Sequence, residues 1–371
     1  MSNKPKHIVI DARIRRASTG RPVDRLLHYL PSLDNVNQYT ILVEPNDPIT
    51  FKAPNFTTLP CAYKQFSFNP IKQLTFSAKL YGLSADLVFF TMTGQAPLFY
   101  FGRSATFTHD LTMLRYARAG RLPQWLHRLR MVGYRLLFWK GNRFARQIFV
   151  PSQFVKDDLI DNYFGLQHKI TITHEASEPP LKVKAEKLAH AHLKKPFIMH
   201  VGSPFPHKNI NNLIKAFEIL SADYPELQLV LAGKKEYYFN QLEEWLSSRA
   251  IKQKVVITGF ISDNELKWLY QNAEAYVLPS LSEGFGLPGL EAMAHDCPLI
   301  SSDATCLPEI YGDAAEYFDP ESPRSIADAT AKVLGSSSYR DKLIKNGHAE
   351  LSRYSWEKMA KEINNGLHQI L

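Results

Sequence analysis

The sequence predicts an α/β protein of two domains, each a parallel β-sheet layered with helices, and three observations carry that expectation. At 371 residues the chain exceeds the size at which a single hydrophobic core stops growing. Short apolar, β-branched runs (HIVIDA, YTILVE, ADLVFF, QIFVPS, KITITH) alternate with longer helical patterns through the first half, as strand–helix units on a parallel sheet do. The pattern then restarts: FIMHVGS, LQLVLAG, VVITGF, AYVLPS and PLISS each end in or near Gly, Ser or Pro and lead into a helical stretch. Two stacked Rossmann-like domains are the economical reading.

Between the two series lies EPPLKVKAEKLAHAHLKKP, where Pro179, Pro180 and Pro196 bracket a charged stretch without sustained core periodicity. We place the linker there, with domains at residues 1–180 and 195–354. In NINNLIKAFEILSADY the positions Ile210, Leu213, Ile214, Phe217 and Leu220 recur at helical spacing, and Asn209 is the expected cap. In SDNELKWLYQNA, Ser262 and Glu265 form a capping-box pattern.

Composition narrows the function. Hydrophobic residues at 45% and charged residues at 22% fit a globular enzyme-sized protein. The N-terminus lacks the apolar stretch of a secretion signal, and no run approaches the length of a membrane span. Cys61, Cys297 and Cys306 are too scattered for a disulfide framework, so a cytoplasmic, reduced location is expected. The net charge of +8 conceals an asymmetry: residues 1–190 hold 26 Lys+Arg against 13 Asp+Glu, residues 191–371 hold 18 against 23. The basic half favours an anionic partner. The stretch Leu111 to Val155 has nine basic residues, no acidic one, and interleaved aromatics, a composition shared by membrane-surface helices, nucleic-acid grooves and ordinary arginine-rich helices.

The stretch PSLSEGFGLPGLEAMAHDC is the most informative. A strand ending near Leu278 leads through a loop with Gly284 and Gly286 into a helix carrying Glu291, and such a helix start offers backbone N–H groups and a positive dipole end to an anion. Glu283 and Glu291 can then face one polyhydroxylated ligand. In HVGSPFPHKN a strand ends at Gly202, and Lys208 follows as a mobile point charge suited to phosphate. In SATFTHDLTML a short strand delivers His109 and Asp110 to a loop, and in DARIRRASTGRPV Gly20 and Arg21 follow the first strand.

The segment Glu283-Gly-Phe-Gly-Leu-Pro-Gly-Leu-Glu291 resembles the E-x7-E motif of glycosyltransferase family 4, retaining enzymes of GT-B architecture whose two Rossmann-like domains face each other across a cleft. The resemblance implies that Glu283 holds a donor-sugar hydroxyl, that backbone N–H groups of Phe285, Gly286 and Leu287 meet the sugar and diphosphate, and that Glu291 binds the ribose. Gly202 to Asn209 resembles the family's G-x-x-x-x-[RK]-K-N segment, with Lys208 on the diphosphate and His207 where many members have arginine. His109, with Asp110, would reach the reacting sugar. Gly20 and Arg21 would lie near the diphosphate, although Gly-Arg-Pro-Val replaces the family's G-x-G-R and Pro22 lacks an N–H. The resemblance also implies that a last helix, 355–371, packs back on the first domain.

The expected reaction moves a sugar, with mannose from GDP-mannose as the leading candidate, to a glycan or lipid-linked acceptor in surface-polysaccharide synthesis. No D-x-D triplet occurs in the chain, so departure of the nucleoside diphosphate without metal or other cofactor is expected. A peripheral position on the inner face of the cytoplasmic membrane would bring the basic stretch to an anionic surface. A sugar-nucleotide 2-epimerase of similar build is the rival enzyme. A basic nucleic-acid-binding protein is the non-enzymatic rival, but it leaves the glutamate loop without purpose, and no nucleic-acid partner is expected. A nicotinamide oxidoreductase would need a G-x-G-x-x-G after the first strand, which is missing.

Overall fold

The computed structural model describes residues 4–16, 19–116, 120, 122–178, 182–188 and 193–371. Two compact units emerge: residues 1–114, 121–175 and 355–371 form the first, and residues 115–120 and 176–354 the second.

Among the described residues the first unit has a seven-stranded parallel sheet: β1 His7–Asp11, β2 Gln38–Val43, β3 Phe56–Pro60, β4 Leu87–Phe90, β5 Ser104–Phe107, β6 Gln147–Val150 and β7 Ile170–Ile172. Their order is β3-β2-β1-β4-β5-β6-β7, so the direction of winding reverses between β1 and β4. The helices are α1 Arg21–Leu33, α2 Pro70–Gly82, α3 Thr112–Arg115, α4 Gln124–Phe144 and α5 Gln153–Asn162. Covered on both faces, β1 and β4 bury Ile8, Val9, Ile10, Leu87 and Val88 completely, which is why they read as unbroken apolar runs.

The second unit repeats the plan. Among its described residues, β8 Phe197–Val201, β9 Gln228–Ala232, β10 Val255–Gly259, β11 Ala275–Leu278, β12 Leu299–Ser302 and β13 Ala315–Phe318 pair in parallel in the order β10-β9-β8-β11-β12-β13. The winding here reverses between β8 and β11. Its helices are α6 Ile210–Asp223, α7 Tyr237–Ser247, α8 Asp263–Asn272, α9 Leu287–Ala294, α10 Leu307–Tyr311, α11 Pro323–Leu334 and α12 Ser337–Leu351. The apolar face read for α6 enters the core through Ile210, Leu213, Ile214, Phe217 and Leu220. At the start of α8 the Ser262–Glu265 capping box forms as read, with Ser262 Oγ accepting from the Glu265 N–H at 3.3 Å and Glu265 Oε2 from the Ser262 N–H at 2.9 Å.

Asn209 corrects one expectation. It occupies the position before α6 in a left-handed conformation, φ 57°, and its side chain makes no cap bond. The amide instead donates to the carbonyls of Pro279 at 3.1 Å and Pro320 at 2.7 Å, so it ties together the loops after β11 and β13.

The last helix, α13 Trp356–Gln369, belongs to the first unit, where it lies along α1 and buries Met359, Ile363 and Leu367. Full burial contributes roughly 1.5–3 kcal/mol for each such side chain. Its end is held by a polar hub: the buried Asp34 carboxylate accepts from Tyr39 Oη at 2.6 Å, from the Asn37 amide at 2.8 Å and from His368 Nε2 at 2.8 Å. Burial resists ionisation of Asp34, and these donors outweigh it, holding the carboxyl well below the ordinary carboxylate range. None of the described helices is long and apolar enough to cross a membrane.

Candidate active site

The second-unit candidates collect at the C-terminal ends of β8 and β11, the strands that flank the reversal of winding. Parallel sheets of this topology leave a ligand crevice at that point. After β8 the chain turns at Gly202, whose φ of 141° suits glycine alone, and reaches Lys208 through a short turn, Pro206–Lys208. After β11 the loop delivers Ser280 and Glu283. Lys208 Nζ stands 2.5 Å from Glu283 Oε1, and Ser280 Oγ donates to the same oxygen at 2.6 Å. The two loops are stitched by Leu281 N–H on the His207 carbonyl at 2.7 Å, and Glu283 N–H donates to Thr305 Oγ1 at 3.2 Å.

Burial penalises a charged Glu283, but the Lys208 ammonium and the hydrogen bonds from Lys208 and Ser280 prevail, and its carboxyl titrates below the ordinary range. The site thus holds an ionised glutamate and a cation side by side. Behind them His200 is fully buried: Nδ1 donates to the Val277 carbonyl at 2.9 Å, and Nε2 has no partner among the described residues. Burial pulls its pKa down to about 4, so the ring is neutral.

Gly286 precedes α9 with φ 93°, and Leu287 is the first residue of that helix. A Cβ on Gly286 would overlap the Tyr311 hydroxyl, which itself donates to the Gly286 carbonyl. The glycine therefore fixes where α9 begins and which way the Leu287 N–H points; Pro288 carries no N–H, and the Gly289 N–H is taken by the Gly286 carbonyl at 3.1 Å. The Phe285 side chain serves packing, buried edge-on against Tyr354 with ring centroids 5.3 Å apart. Glu291 sits half-buried one turn into α9.

In the first unit, His109 follows β5 and is nearly buried. Its Nδ1 lies 3.1 Å from Glu175 Oε1, its Nε2 lies 3.1 Å from the Thr91 carbonyl, and its ring stacks on Phe107 at 4.4 Å. Asp110 accepts from Thr112 N–H at 2.8 Å, a local turn that opens α3. Gly20 stands before α1, where a Cβ would run into the Arg15 backbone; the glycine is required by a close approach of this chain to itself. Arg21 is the first residue of α1 and half-buried.

Three participants were not anticipated. Ser280 lies three residues before Glu283, a spacing that a search for hydroxyl donors would have found. His200 sits in the strand before Gly202. Glu175 follows β7, and a carboxylate just past the C-terminal end of a parallel strand is the only cue the sequence offers. Arg118 and Arg121 of the basic stretch lie outside the described residues. Among those residues, no group of three or more His, Cys, Asp or Glu is arranged to hold a metal ion.

Residues 184–350 match the family model described as glycosyl transferases group 1. The O-antigen chain mannosyltransferase RfbU of Salmonella typhimurium is 28% identical over 239 residues, 64% of this chain and 64% of that protein. The O-antigen chain mannosyltransferase B of Escherichia coli is 31% identical over 173 residues, 46% of this chain and 45% of that protein. The matches therefore span 64% or less of these relatives' own lengths. Among solved structures, a sucrose-phosphate synthase from Thermosynechococcus elongatus superposes with a TM-score of 0.76 at 17% identity, covering 98% of this chain and 99% of that one. The fold is the two-domain GT-B fold.

Proposed function

We propose that this chain is a retaining hexosyltransferase that moves mannose from a nucleoside-diphosphate sugar to a glycan or lipid-linked acceptor in surface-polysaccharide synthesis. The observation that carries the reading is the pairing of Lys208 with an ionised Glu283 beside the start of α9. A cation and helix N–H groups suit the diphosphate, and a carboxylate acceptor suits a sugar hydroxyl. The names of the relatives favour mannose and O-antigen chains. Departure of the diphosphate is assigned to Lys208 and backbone donors, without metal. Attack occurs on the same face as departure, with the leaving phosphate taking the acceptor's proton. Glu291 holds the ribose.

A panel of nucleotide sugars, GDP-mannose first, offered with and without acceptor tests the reading. Transfer with retention of the anomeric centre is expected, and turnover should survive EDTA. A strict requirement for Mg²⁺ or Mn²⁺ would overturn the metal-free departure, and interconversion of the donor without transfer would favour an epimerase.

The same proposal places the chain on the inner face of an anionic membrane, and the exposed side of α4 supports it. Trp125, Leu129, Val132, Leu136 and Trp139 recur at three- and four-residue spacing and are all exposed, Trp125 by 65%, while Leu137, Phe138 and Lys140 face inward. Arg128, Arg135 and Arg143 are exposed on the same helix. An apolar stripe bordered by arginines suits a bilayer interface bearing acidic lipid. Each well-placed basic residue contributes about 1 kcal/mol, screened by salt. Sedimentation with acidic vesicles should show binding that falls as salt rises and weakens on charge reversal of these arginines. Equal, negligible binding to neutral and acidic vesicles would return α4 to an ordinary surface helix.

A further inference from the structure

Both ring nitrogens of His109 face atoms that can only accept. Nδ1 lies 3.1 Å from a Glu175 carboxylate oxygen, and Nε2 lies 3.1 Å from the Thr91 backbone carbonyl. A neutral imidazole has one N–H and one lone pair, so it would set a lone pair against one of these oxygens. A doubly protonated ring satisfies both. We propose that Glu175 is a positioning residue that holds His109 as a fixed imidazolium, so that the ring carries a standing charge and shuttles no proton. The part concerning catalysis rests on the transferase reading above.

The surroundings agree. The ring is 11% exposed and Glu175 6% exposed, so their attraction is little screened by water. The carboxylates acting on the ring are Glu175 and, on its own loop, Asp110. The elements packed around it present apolar groups: Pro22, Val23 and Leu26 from α1, Phe89 from β4 and Ile363 from α13. Burial alone would favour the neutral ring, and the Glu175 hydrogen bond and charge reverse that, raising its pKa. Because the raised pKa belongs to the folded state, the pair's contribution to stability is fully present below the pKa of an unfolded histidine and is lost as pH rises through the folded ring's higher pKa.

With both nitrogens committed to internal acceptors, His109 can neither take a proton from the acceptor hydroxyl nor pass one to the leaving group. What it can give is a preorganised positive charge, a fixed field of the kind that stabilises developing negative charge. This differs from the role implied by resemblance, in which the ring reaches the reacting sugar.

The test uses the full chain with isotope-labelled histidine and His109→Gln to assign the ring signals. At pH 7 the wild-type ring should carry two N–H groups, and in Glu175→Gln its titration midpoint should fall by at least about one pH unit. Glu175→Asp should restore most of the shift. The alkaline limb of kcat/KM for the nucleotide sugar should move with the ring: Glu175→Gln is expected to lose about tenfold at pH 8 and little at pH 5.5, a split that a merely structural contact would not produce. A wild-type ring with a single N–H at pH 7 overturns the proposal, and so does a ring titration that shifts while the rate profile stays put. A wild type that turns over no nucleotide sugar sinks the transferase reading alone, because the spectra still decide whether Glu175 holds the ring charged.

Discussion

Lys208→Ala is expected to weaken binding of the nucleoside diphosphate product at least tenfold, read by calorimetry. A charge-assisted contact of this kind contributes roughly 1.5–3 kcal/mol, and one factor of ten is about 1.4 kcal/mol. The variant should also melt at lower temperature. It leaves the largely buried Glu283 with Ser280 but without its cation, and stranding one charge of a buried pair costs up to about 3–5 kcal/mol. These two losses can be separated. In the double variant Lys208→Ala/Glu283→Ala neither charge is stranded, so much of the stability should return while diphosphate binding stays weak. Unchanged affinity in the single variant would remove Lys208 from the donor site. Equal melting of the single and double variants would show that the pair is not coupled in the fold.

The same pair shows how far the sequence could be read. Lys208 and Glu283 were each legible from local motifs, but they are 75 positions apart. Their contact follows from strand order, because β8 and β11 are neighbours in space and both end at the reversal of winding. Central strands were legible for a related reason: buried on both faces, they carry unbroken apolar runs. The edge strands β3, FTTLP, and β13, AEYF, carry polar residues on exposed or half-exposed positions and escaped that pattern. Asn209 looked like a cap because a polar residue before a helix is usually one, whereas its amide is claimed by two carbonyls from distant loops. Glu175 had no local signal beyond its place just past a strand, since its meaning depends on β5 and β7 flanking β6 in one sheet so that a carboxylate and an imidazole 66 positions apart can meet.

Gly286→Ala should be among the most damaging single substitutions in the second unit, and comparison with Gly202→Ala shows why. Both glycines have positive φ, 93° and 141°, so either alanine incurs backbone strain of about 1–3 kcal/mol. At Gly202 the nearest atom to a new Cβ is His200 Nε2 at 3.6 Å, an ordinary contact, and strain is the whole cost. At Gly286 the Cβ would also meet the Tyr311 hydroxyl and Leu307, side chains that are fully buried and have nowhere to retreat. Overpacking of that sort adds roughly 1–3 kcal/mol. At about 2–4 °C for each kcal/mol in a unit of this size, Gly286→Ala should lower the melting temperature by roughly 4–24 °C, and by more than Gly202→Ala. Tyr311→Phe removes the hydroxyl that the new methyl would strike, so Gly286→Ala/Tyr311→Phe should melt higher than the sum of the two single losses predicts. Strictly additive losses would show that the Tyr311 hydroxyl is not what excludes a side chain at the start of α9 and would leave the cost of Gly286→Ala to the backbone and Leu307.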